Sequence, residues 1–297
     1  MQVASRRRIS GSEARLTFSL DEQFLELTED SRQVDGIGGV AWDGSFLMAL
    51  TLRRLVDSSP YASSLHVLEL GCGTGVCGIS IAHRVAAVTL TDQSVDLATS
   101  NCRSIRCASN VIAMPLSWGE DQERDLLRRR GANVPNLLVG CEIACLRSQL
   151  SKLMRTIDAL AGRSTIVLLS FDELPPPNSC TAEREMNELM SAAGFSGASI
   201  SAARVTWSRV EHGTSAAVMK EVAVESEVCL GSGEYPCPQS RAERASKGIS
   251  LDSSEGVHHI VAYFRHSSFV SCKICGKPRL WWPAVDIQPF GSSASTW

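Results

Sequence analysis

The sequence predicts an α/β fold in which a β-hairpin at the N-terminus precedes a doubly wound sheet of seven strands. Two observations lead to this prediction. From His66 onward, short apolar runs rich in β-branched residues alternate with stretches of helical periodicity. A glycine-rich turn then joins the first of these strands directly to a helix. Units of strand, helix and strand pair their strands in parallel, with a right-handed crossover.

The predicted elements follow the chain in a regular order. Leu16–Leu20 and Phe24–Leu27 form the hairpin around a polar turn, and Val40–Val56 is an amphipathic helix. The seven strands are predicted at 66–70, 87–91, 110–116, 136–141, 165–170, 199–206 and 258–264. The helices between them are predicted at 75–84, 94–105, 146–160 and 181–193.

A single domain is expected over residues 15–266. Residues 1–14 are predicted to be a flexible N-terminus, and residues 267–297, which are rich in serine, a tail. The stretch 207–257 separates the last two predicted strands and is rich in Ser, Glu and Gly. Because it is long for a connection inside a compact domain, we predict a flexible insertion there.

The composition is that of a globular protein with little net charge. The 297 residues are 44% hydrophobic and 21% charged, with 29 Lys and Arg against 32 Asp and Glu. A near-neutral balance argues against a protein that coats nucleic acid through charge. The longest apolar stretches are well short of the roughly 20 residues that span a bilayer. We therefore expect neither a nucleic-acid partner nor a membrane span.

The N-terminus and the cysteines predict an intracellular protein. Arg6, Arg7 and Arg8 are not followed by the apolar run of a secretory signal. Eleven cysteines in a chain without such a signal favour reduced thiols over a disulfide framework. The expected location is the cytoplasm, and the nucleus stays open. Organellar targeting also stays open, because residues 1–12 are rich in Arg and Ser and lack acids.

The most informative segment is VLELGCGTG, from Val67 to Gly75, a strand that runs into a glycine-rich turn and a helix. Glycines let a ligand approach the backbone, and the start of the helix offers unpaired N–H groups. The third glycine comes one residue too early for the dinucleotide fingerprint G-x-G-x-x-G, so nicotinamide binding is disfavoured. Glu69 is expected at the mouth of the site, where it suits a cationic ligand better than pyrophosphate.

A second carboxylate completes the predicted site. Asp92 ends the second strand of the sheet, 17 residues after Gly75. At this place such folds use a carboxylate to accept hydrogen bonds from ribose hydroxyls. Together with Glu69, it indicates a nucleoside that carries a positive charge, a description that S-adenosylmethionine fits. In the alternative interpretation the glycines make only a tight turn and Asp92 only caps the following helix.

With these residues the sequence resembles a known family, the seven-strand protein lysine methyltransferases of methyltransferase family 16. The glycine motif is shared by many methyltransferases, whereas the Trp-Asp and Trp-Gly elements make the resemblance specific. The matching pieces are Trp42-Asp43, Glu69 to Gly75, Val88 to Asp92, Asn101, Leu116 to Gly119, Gly140 to Glu142 and Val261 to Arg265. The resemblance implies a Rossmann-like class I methyltransferase fold, S-adenosyl-L-methionine as the cofactor and a lysine of a protein substrate as the methyl acceptor.

The resemblance also implies which residues form the cofactor pocket. Aromatic rings such as those of Trp42 and Trp118 can cover an adenine or flank a sulfonium. Each tryptophan taken alone would be interpreted as an ordinary packing residue, but their place among the other motif residues favours the pocket. By position, the pocket residues are Trp42, Glu69, Gly71, Cys72, Gly73, Gly75, Asp92, Trp118 and Cys141.

On the substrate side, Glu142 is the candidate for orienting the acceptor amine. Members of the family usually carry Asp-x-x-Tyr at this place, and this chain has Glu142-Ile143-Ala144-Cys145. Cys145 supplies neither the hydrogen bond nor the ring of a phenol. Histidine, arginine or a small molecule therefore stays open as the acceptor, and so does a catalytically degenerate cofactor-binding scaffold. The other interpretation of Glu142 is a solvated carboxylate at the start of a helix.

No metal site is predicted. Cys272 and Cys275 have the spacing of half a zinc site, which Cys229, Cys237 or His266 would have to complete. A second closely spaced pair is missing, so reduced thiols are the preferred interpretation.

Overall fold

In the computed structural model, eleven of the described strands form one sheet, and two more form a separate pair. The structure describes residues 3–20, 23–32, 37–105, 109–120, 123, 125–126, 134–145, 147–173, 181–212, 215–227, 257–265, 269–271 and 278–280. Among these residues, no helix is both long enough and apolar enough to cross a membrane.

The strands and helices are numbered along the chain within these described ranges. The strands are β1 (Val3–Arg8), β2 (Glu13–Leu20), β3 (Gln23–Asp30), β4 (His66–Leu70), β5 (Ala87–Asp92), β6 (Val111–Pro115), β7 (Leu137–Cys141), β8 (Ile166–Glu173), β9 (Ser196–His212), β10 (Ser215–Glu227), β11 (Val257–Phe264), β12 (Phe269–Ser271) and β13 (Pro278–Leu280). The α-helices are α1 (Asp43–Ser58), α2 (Val76–Ile81), α3 (Asp96–Ser104), α4 (Leu150–Leu160) and α5 (Thr181–Ala192).

The order of the strands confirms the predicted doubly wound sheet. The sheet runs β3-β2-β1-β10-β9-β11-β8-β7-β4-β5-β6. Strands β8, β7, β4, β5 and β6 pair in parallel, whereas β11 pairs antiparallel to both β8 and β9. The chain winds from β4 outward to β6 and then returns to β7 on the other side of β4. The carboxyl ends of β4 and β7 are therefore the switch point, where folds of this kind bind ligands.

The central strands are buried on both faces, which explains their continuous apolar runs. In β4, Val67 belongs to one core cluster and Leu68 to the other, and in β8 Leu168 and Leu169 divide in the same way. Side chains of α1, α2 and α3 belong to the first cluster, and side chains of α4 and α5 to the second. Neighbouring residues of a strand point to opposite faces, so one strand serves both cores.

The predicted N-terminal hairpin is present as β2 and β3, and it packs against α1. The Phe18 and Phe46 rings meet edge to face, with centroids 5.1 Å apart. This contact covers a second side of α1, which is buried almost all round although the sequence predicted an amphipathic helix. The structure also differs from the predicted flexible N-terminus, because residues 3–8 form β1. That strand pairs with β2 and with the distant β10, a partner that local sequence patterns do not reveal.

The first part of the predicted 207–257 insertion is a β-hairpin, which corrects that prediction. Strand β9 extends to His212, and β10 pairs with it antiparallel over residues 215–227. Averaging the composition over about fifty residues hid the strand-like alternation in both segments. Residues 228–256 lie outside the described residues. Of the predicted tail, β12 and β13 pair with each other, and residues 272–277 and 281–297 also lie outside the described residues.

Candidate functional site

The glycine-rich turn between β4 and α2 lies at the switch point of the sheet. Gly71 and Gly73 have φ angles of +61° and +50°, in the left-handed region where side chains are strained. A Cβ atom on Gly71 would lie 2.6 Å from Ile143 Cγ2, and one on Gly73 would collide with the carbonyl oxygen of Gly38. The turn therefore requires glycine, and its bare backbone forms part of a cavity wall.

A cavity of about 280 Å³ lies beside this turn, at the carboxyl ends of the parallel strands. Its volume is close to the lower end of the range for small-molecule sites, about 300 Å³. Eight of the nine residues predicted to bind the cofactor line it, and Gly75 does not. The eight are Trp42, Glu69, Gly71, Cys72, Gly73, Asp92, Trp118 and Cys141.

Gly75 lies between the glycine turn and α2, outside the cavity lining. It is the N-cap residue of α2, with a φ angle of +79°. A Cβ atom there would lie 3.0 Å from Leu90 Cδ1 and 3.1 Å from Ile79 Cδ1. Gly75 thus lets α2 pack closely on β5, and its backbone N–H donates a hydrogen bond to the Cys72 carbonyl that closes the turn.

Asp92 both lines the cavity and holds the glycine turn. Its Oδ2 accepts a hydrogen bond from the Gly73 N–H at 2.9 Å, and its Oδ1 accepts one from the Gln93 N–H at 2.7 Å. Burial raises the pKa of Asp92, and these backbone donors oppose the rise. Asp92 is not the cap of the next helix, because the N-cap residue of α3 is Val95. The interpretation as a simple helix cap is therefore wrong.

Glu69 lies beneath the turn rather than at the mouth of the site, where the sequence had suggested it. Its side chain is only 2% exposed, and its Oε2 accepts a hydrogen bond from the Gly78 N–H in α2 at 2.8 Å. Burial raises the pKa of Glu69 to about 7, although the bond from Gly78 opposes the rise. Near neutral pH the cavity floor therefore carries a carboxyl group that is poised between its neutral and charged forms.

The two predicted tryptophans differ in their surroundings. Trp42 is the N-cap residue of α1, is 46% exposed, and donates its indole N–H to the Ile37 carbonyl at 2.9 Å. Trp118 follows β6 and packs against the second core cluster. Its Cζ2 would lie 3.4 Å from a Cβ atom on Gly71, so its ring borders the glycine turn. One ring stands at the surface, and the other forms part of the inner wall.

Cys141, at the end of β7, brings a thiol to the cavity wall. Its Sγ lies 3.2 Å from the Sγ of Cys77 in α2, and both cysteines are free. Burial raises the pKa of Cys141, whereas the hydrogen bond to Cys141 and then burial raise that of Cys77. Both thiols are therefore neutral at physiological pH.

Glu142 lies beside the cavity and outside its lining. Its φ angle is +52°, which is unusual for a residue with a side chain. The Gly44 N–H, in the first turn of α1, donates to Glu142 Oε1 at 2.7 Å, and the Glu142 N–H donates to Ser170 Oγ at 2.9 Å. The carboxylate thus lies at the start of a helix, where the dipole favours it. That helix is α1, which begins about a hundred residues earlier in the chain.

The segment 37–42 forms a wall that the motif reasoning missed, apart from Trp42. Ile37, Gly38 and Val40 line the cavity. The buried Glu29 holds this segment by accepting a hydrogen bond from the Ala41 N–H at 2.9 Å. The cluster of glycines at 36, 38 and 39 marked a chain break in the sequence, but nothing local indicated that the segment returns to the glycine turn.

Asn101 joins the N-terminal hairpin to the glycine turn. It is fully buried, and its side-chain N–H groups donate to the carbonyl oxygens of Thr28 and Thr74, both at 3.0 Å. Its Oδ1 accepts a hydrogen bond from the Thr28 N–H at 2.8 Å. This family-motif residue therefore supports the site without lining the cavity.

Seven further residues line the cavity without having been predicted as cofactor-binding. Thr74, Leu116 and Ile143 belong to the motif segments named above, whereas Ser45, Gln93, Ser148 and Gln149 lie outside them. Among the residues that the structure describes, no group of three or more His, Cys, Asp or Glu side chains is arranged to hold a metal ion. Cys229, Cys237, His266, Cys272 and Cys275, the candidate zinc ligands, lie outside the described residues.

Comparison with known families identifies the group of proteins. The model of methyltransferase family 16, described as lysine methyltransferase, matches residues 19–183, more than half of the chain. The chain belongs to this family. The match includes the glycine turn, both tryptophans of the site and Glu142. This family membership confirms the resemblance, and it makes the protein a methyltransferase that uses S-adenosylmethionine.

The individual relatives share at most about a third of their aligned residues with this chain. Protein N-lysine methyltransferase METTL21A of Danio rerio is 30% identical over 159 residues, which are 52% of this chain and 68% of the relative. EEF1A lysine methyltransferase 3 of Xenopus tropicalis is 27% identical over 150 residues, 49% of this chain and 62% of the relative. Among solved structures, precorrin-6y C5,15-methyltransferase of Geobacter metallireducens GS-15 has a TM-score of 0.44 at 11% identity and covers 73% of this chain and 86% of its own.

The residues around the cavity of the methyltransferase fit its methyl donor. The glycine turn offers bare backbone where any side chain would collide. Two buried carboxyl groups, Glu69 and Asp92, suit a ligand with a positive charge and with hydroxyl groups. The Trp118 ring supplies an aromatic wall next to them.

Proposed function

We propose that the protein transfers a methyl group from S-adenosylmethionine to the side-chain amine of a lysine in another protein. The observation that carries this proposal is the family match over residues 19–183, which includes every residue that lines the cofactor cavity. The relatives named protein N-lysine methyltransferase and EEF1A lysine methyltransferase support the same acceptor.

For the cofactor, we propose that Asp92 accepts hydrogen bonds from the ribose hydroxyls and that the glycine turn receives the methionine part. The Asp92 carboxylate accepts hydrogen bonds from the backbone N–H groups of Gly73, Gln93 and Ser94, and its two oxygens together have about four lone-pair sites, so one site is left for a ligand. Trp118 and the exposed Trp42 supply the aromatic surfaces. When it is bound, S-adenosylmethionine supplies a methyl group on a positively charged sulfur.

For the acceptor, we propose that Glu142 orients the lysine amine. The bond from the Gly44 N–H fixes one of its oxygens, so the carboxylate has a defined position next to the cavity. A lysine amine has a reference pKa of about 10.4 and must lose its proton before it can react. Methyl transfer then depends chiefly on holding the neutral amine in line with the methyl group and on excluding water.

The test is to incubate the purified protein with methyl-labelled S-adenosylmethionine and a cell extract and then to hydrolyse the labelled protein. We expect methyl-lysine, with no label from Asp92→Ala. Glu188→Ala, which removes a carboxylate that is 71% exposed on α5, is the control and should retain the label.

Other products would redirect the proposal in defined ways. Label in histidine, arginine or a small molecule would keep the methyltransferase and discard the lysine acceptor. Measurable cofactor binding without transfer to any fraction would favour the scaffold alternative, which the Glu142-Ile143-Ala144-Cys145 sequence motivates.

We also propose a cytoplasmic or nuclear location, which rests on the eleven cysteines interpreted as reduced thiols. Cell fractionation with an antibody to the protein tests it, and recovery in an organelle fraction would contradict it.

A further inference from the structure

Behind the cavity wall, a buried threonine of α4 holds the backbone that follows Trp118. The Gly119 N–H donates a hydrogen bond to Thr156 Oγ1 at 2.8 Å, and the Thr156 hydroxyl donates one to Glu123 Oε1 at 2.7 Å. Thr156 is fully buried, and Glu123 is 5% exposed. These two hydrogen bonds, called the relay below, connect Glu123 through Thr156 of α4 to the turn that carries Trp118.

The same turn is seated directly on α4. Gly119 has a φ angle of +74°, and a Cβ atom there would lie 2.8 Å from Arg155 Nη2 and 2.9 Å from Lys152 Cβ. No side chain fits between the turn and the helix. The position of Trp118 relative to the sheet is therefore fixed by α4, through close packing and through the hydroxyl of Thr156.

Trp118 lines the cofactor cavity, and the neighbouring Gly119 bonds to Thr156. The Trp118 ring borders Gly71. Because the ring and the glycine turn approach so closely, a shift of the Trp118 backbone would change the width of the cavity between them. Neither Thr156 nor Glu123 lines the cavity, so any effect of these residues on a bound ligand must pass through other groups.

We propose that Thr156 and Glu123 are positioning residues that hold Trp118 in the cofactor site and thereby set the affinity for S-adenosylmethionine. The inference rests on the proposed assignment of Trp118 to that site. Threonine suits the position because its hydroxyl accepts from Gly119 and donates to Glu123 at the same time. Valine has the same shape without either bond, and serine keeps both.

The first experiment measures the Kd for S-adenosylmethionine by titration calorimetry. We expect Thr156→Val to raise the Kd about tenfold, because the half-buried Gly119 N–H and the buried Glu123 carboxylate lose their partner. Thr156→Ser should restore the affinity to within about twofold, because it keeps both hydrogen bonds. At saturating cofactor, kcat of Thr156→Val should stay close to that of the wild type, since the loss is one of cofactor binding.

Thr165→Val is the matched control. Thr165 is 2% exposed, accepts a hydrogen bond from the Gly162 N–H at 2.9 Å and donates one to the Pro135 carbonyl at 2.7 Å. It lies just before the amino-terminal end of β8, whereas the cavity lies at the carboxyl ends of the parallel strands. Its replacement removes the same kind of bonds, so Tm should fall as in Thr156→Val while the Kd stays unchanged. An equal rise in Kd for both variants would reduce Thr156 to a general stabilising role and overturn the inference.

A double variant separates the relay from the site. Trp118→Ala alone should weaken cofactor binding, and Thr156→Val should add nothing in that background, because its effect passes through Trp118. An equal additional loss in that background would overturn the relay while leaving Trp118 in the site. If Trp118→Ala left the Kd unchanged, both the relay and the assignment of Trp118 would fail. The proposed lysine methylation would still be judged separately, by the labelled product.

Discussion

The cavity has two unlike walls. The first is the glycine turn with Glu69 and Asp92, where both carboxylates are at least nine-tenths buried and bonded to backbone N–H groups. The second is the segment 37–42, where Ile37 and Trp42 are 44% and 46% exposed. The first wall is fixed backbone that suits one invariant ligand. The second presents side chains to solvent, so substitutions should act differently on the two walls.

The largest effect should come from Gly73→Ala in the first wall. The alanine would have to adopt a φ angle near +50°, and its Cβ would collide with the Gly38 carbonyl. We expect the affinity for S-adenosylmethionine to fall by about 100-fold or more, measured by calorimetry. Gly11→Ala is the control, because a Cβ atom there has open space around it. Normal cofactor binding by Gly73→Ala would contradict the description of the first wall as fixed backbone.

Glu142→Ala should separate transfer from cofactor binding. The side chain lies outside the cavity lining and bonds to the start of α1. We expect the Kd for S-adenosylmethionine to stay unchanged and kcat to fall by about 100-fold, since misplacement of a reacting group by about 1 Å has such an effect. Equal turnover in the variant and the wild type would remove Glu142 from the mechanism.

The pH dependence of cofactor binding should report Glu69. Its pKa in the folded protein is raised by burial to about 7, so lowering the pH through 7 protonates it in the free protein. A cationic ligand favours the ionised carboxylate. The affinity for S-adenosylmethionine should therefore fall by about tenfold between pH 8 and pH 6. Calorimetry from pH 8 to pH 6 measures this change.

Glu69→Gln is the control for that profile, because glutamine keeps the shape of the side chain and does not titrate in this range. The variant should lose the part of the pH dependence that is centred near 7. An unchanged profile in the variant would assign the titration to another group, such as Asp92, whose pKa is also raised.

The smallest effect is expected from Trp42→Phe in the second wall. The substitution removes the indole hydrogen bond to the Ile37 carbonyl at a half-exposed site and keeps an aromatic ring. A single such bond contributes about 1 kcal/mol, so the KM for cofactor or acceptor should rise by about fivefold at most. Steady-state kinetics with both substrates tests this, and a loss as large as that of Gly73→Ala would erase the contrast between the walls.

Much of the first wall could be predicted from the sequence because its signals are local. Gly71, Gly73 and Asp92 lie at the ends of two strands that are close in sequence, and parallel pairing brings such ends together. The second wall was predicted only at Trp42. The contact between Gly38 and Gly73 joins segments 35 residues apart, and no local pattern encodes that approach.

The sequence by itself determined the doubly wound sheet, the place of the glycine turn and the family, because periodicity and motif spacing are properties of neighbouring residues. The tertiary structure decided the rest. It placed Glu69 under the turn, linked Glu142 to the first turn of α1 and set Trp118 on α4 through Thr156. It also paired β9 with β10 and placed β10 beside β1. The contacts of Glu142 with Gly44, of Gly119 with Thr156 and of β10 with β1 join segments that are far apart in the chain, which is why no local sequence pattern predicted them.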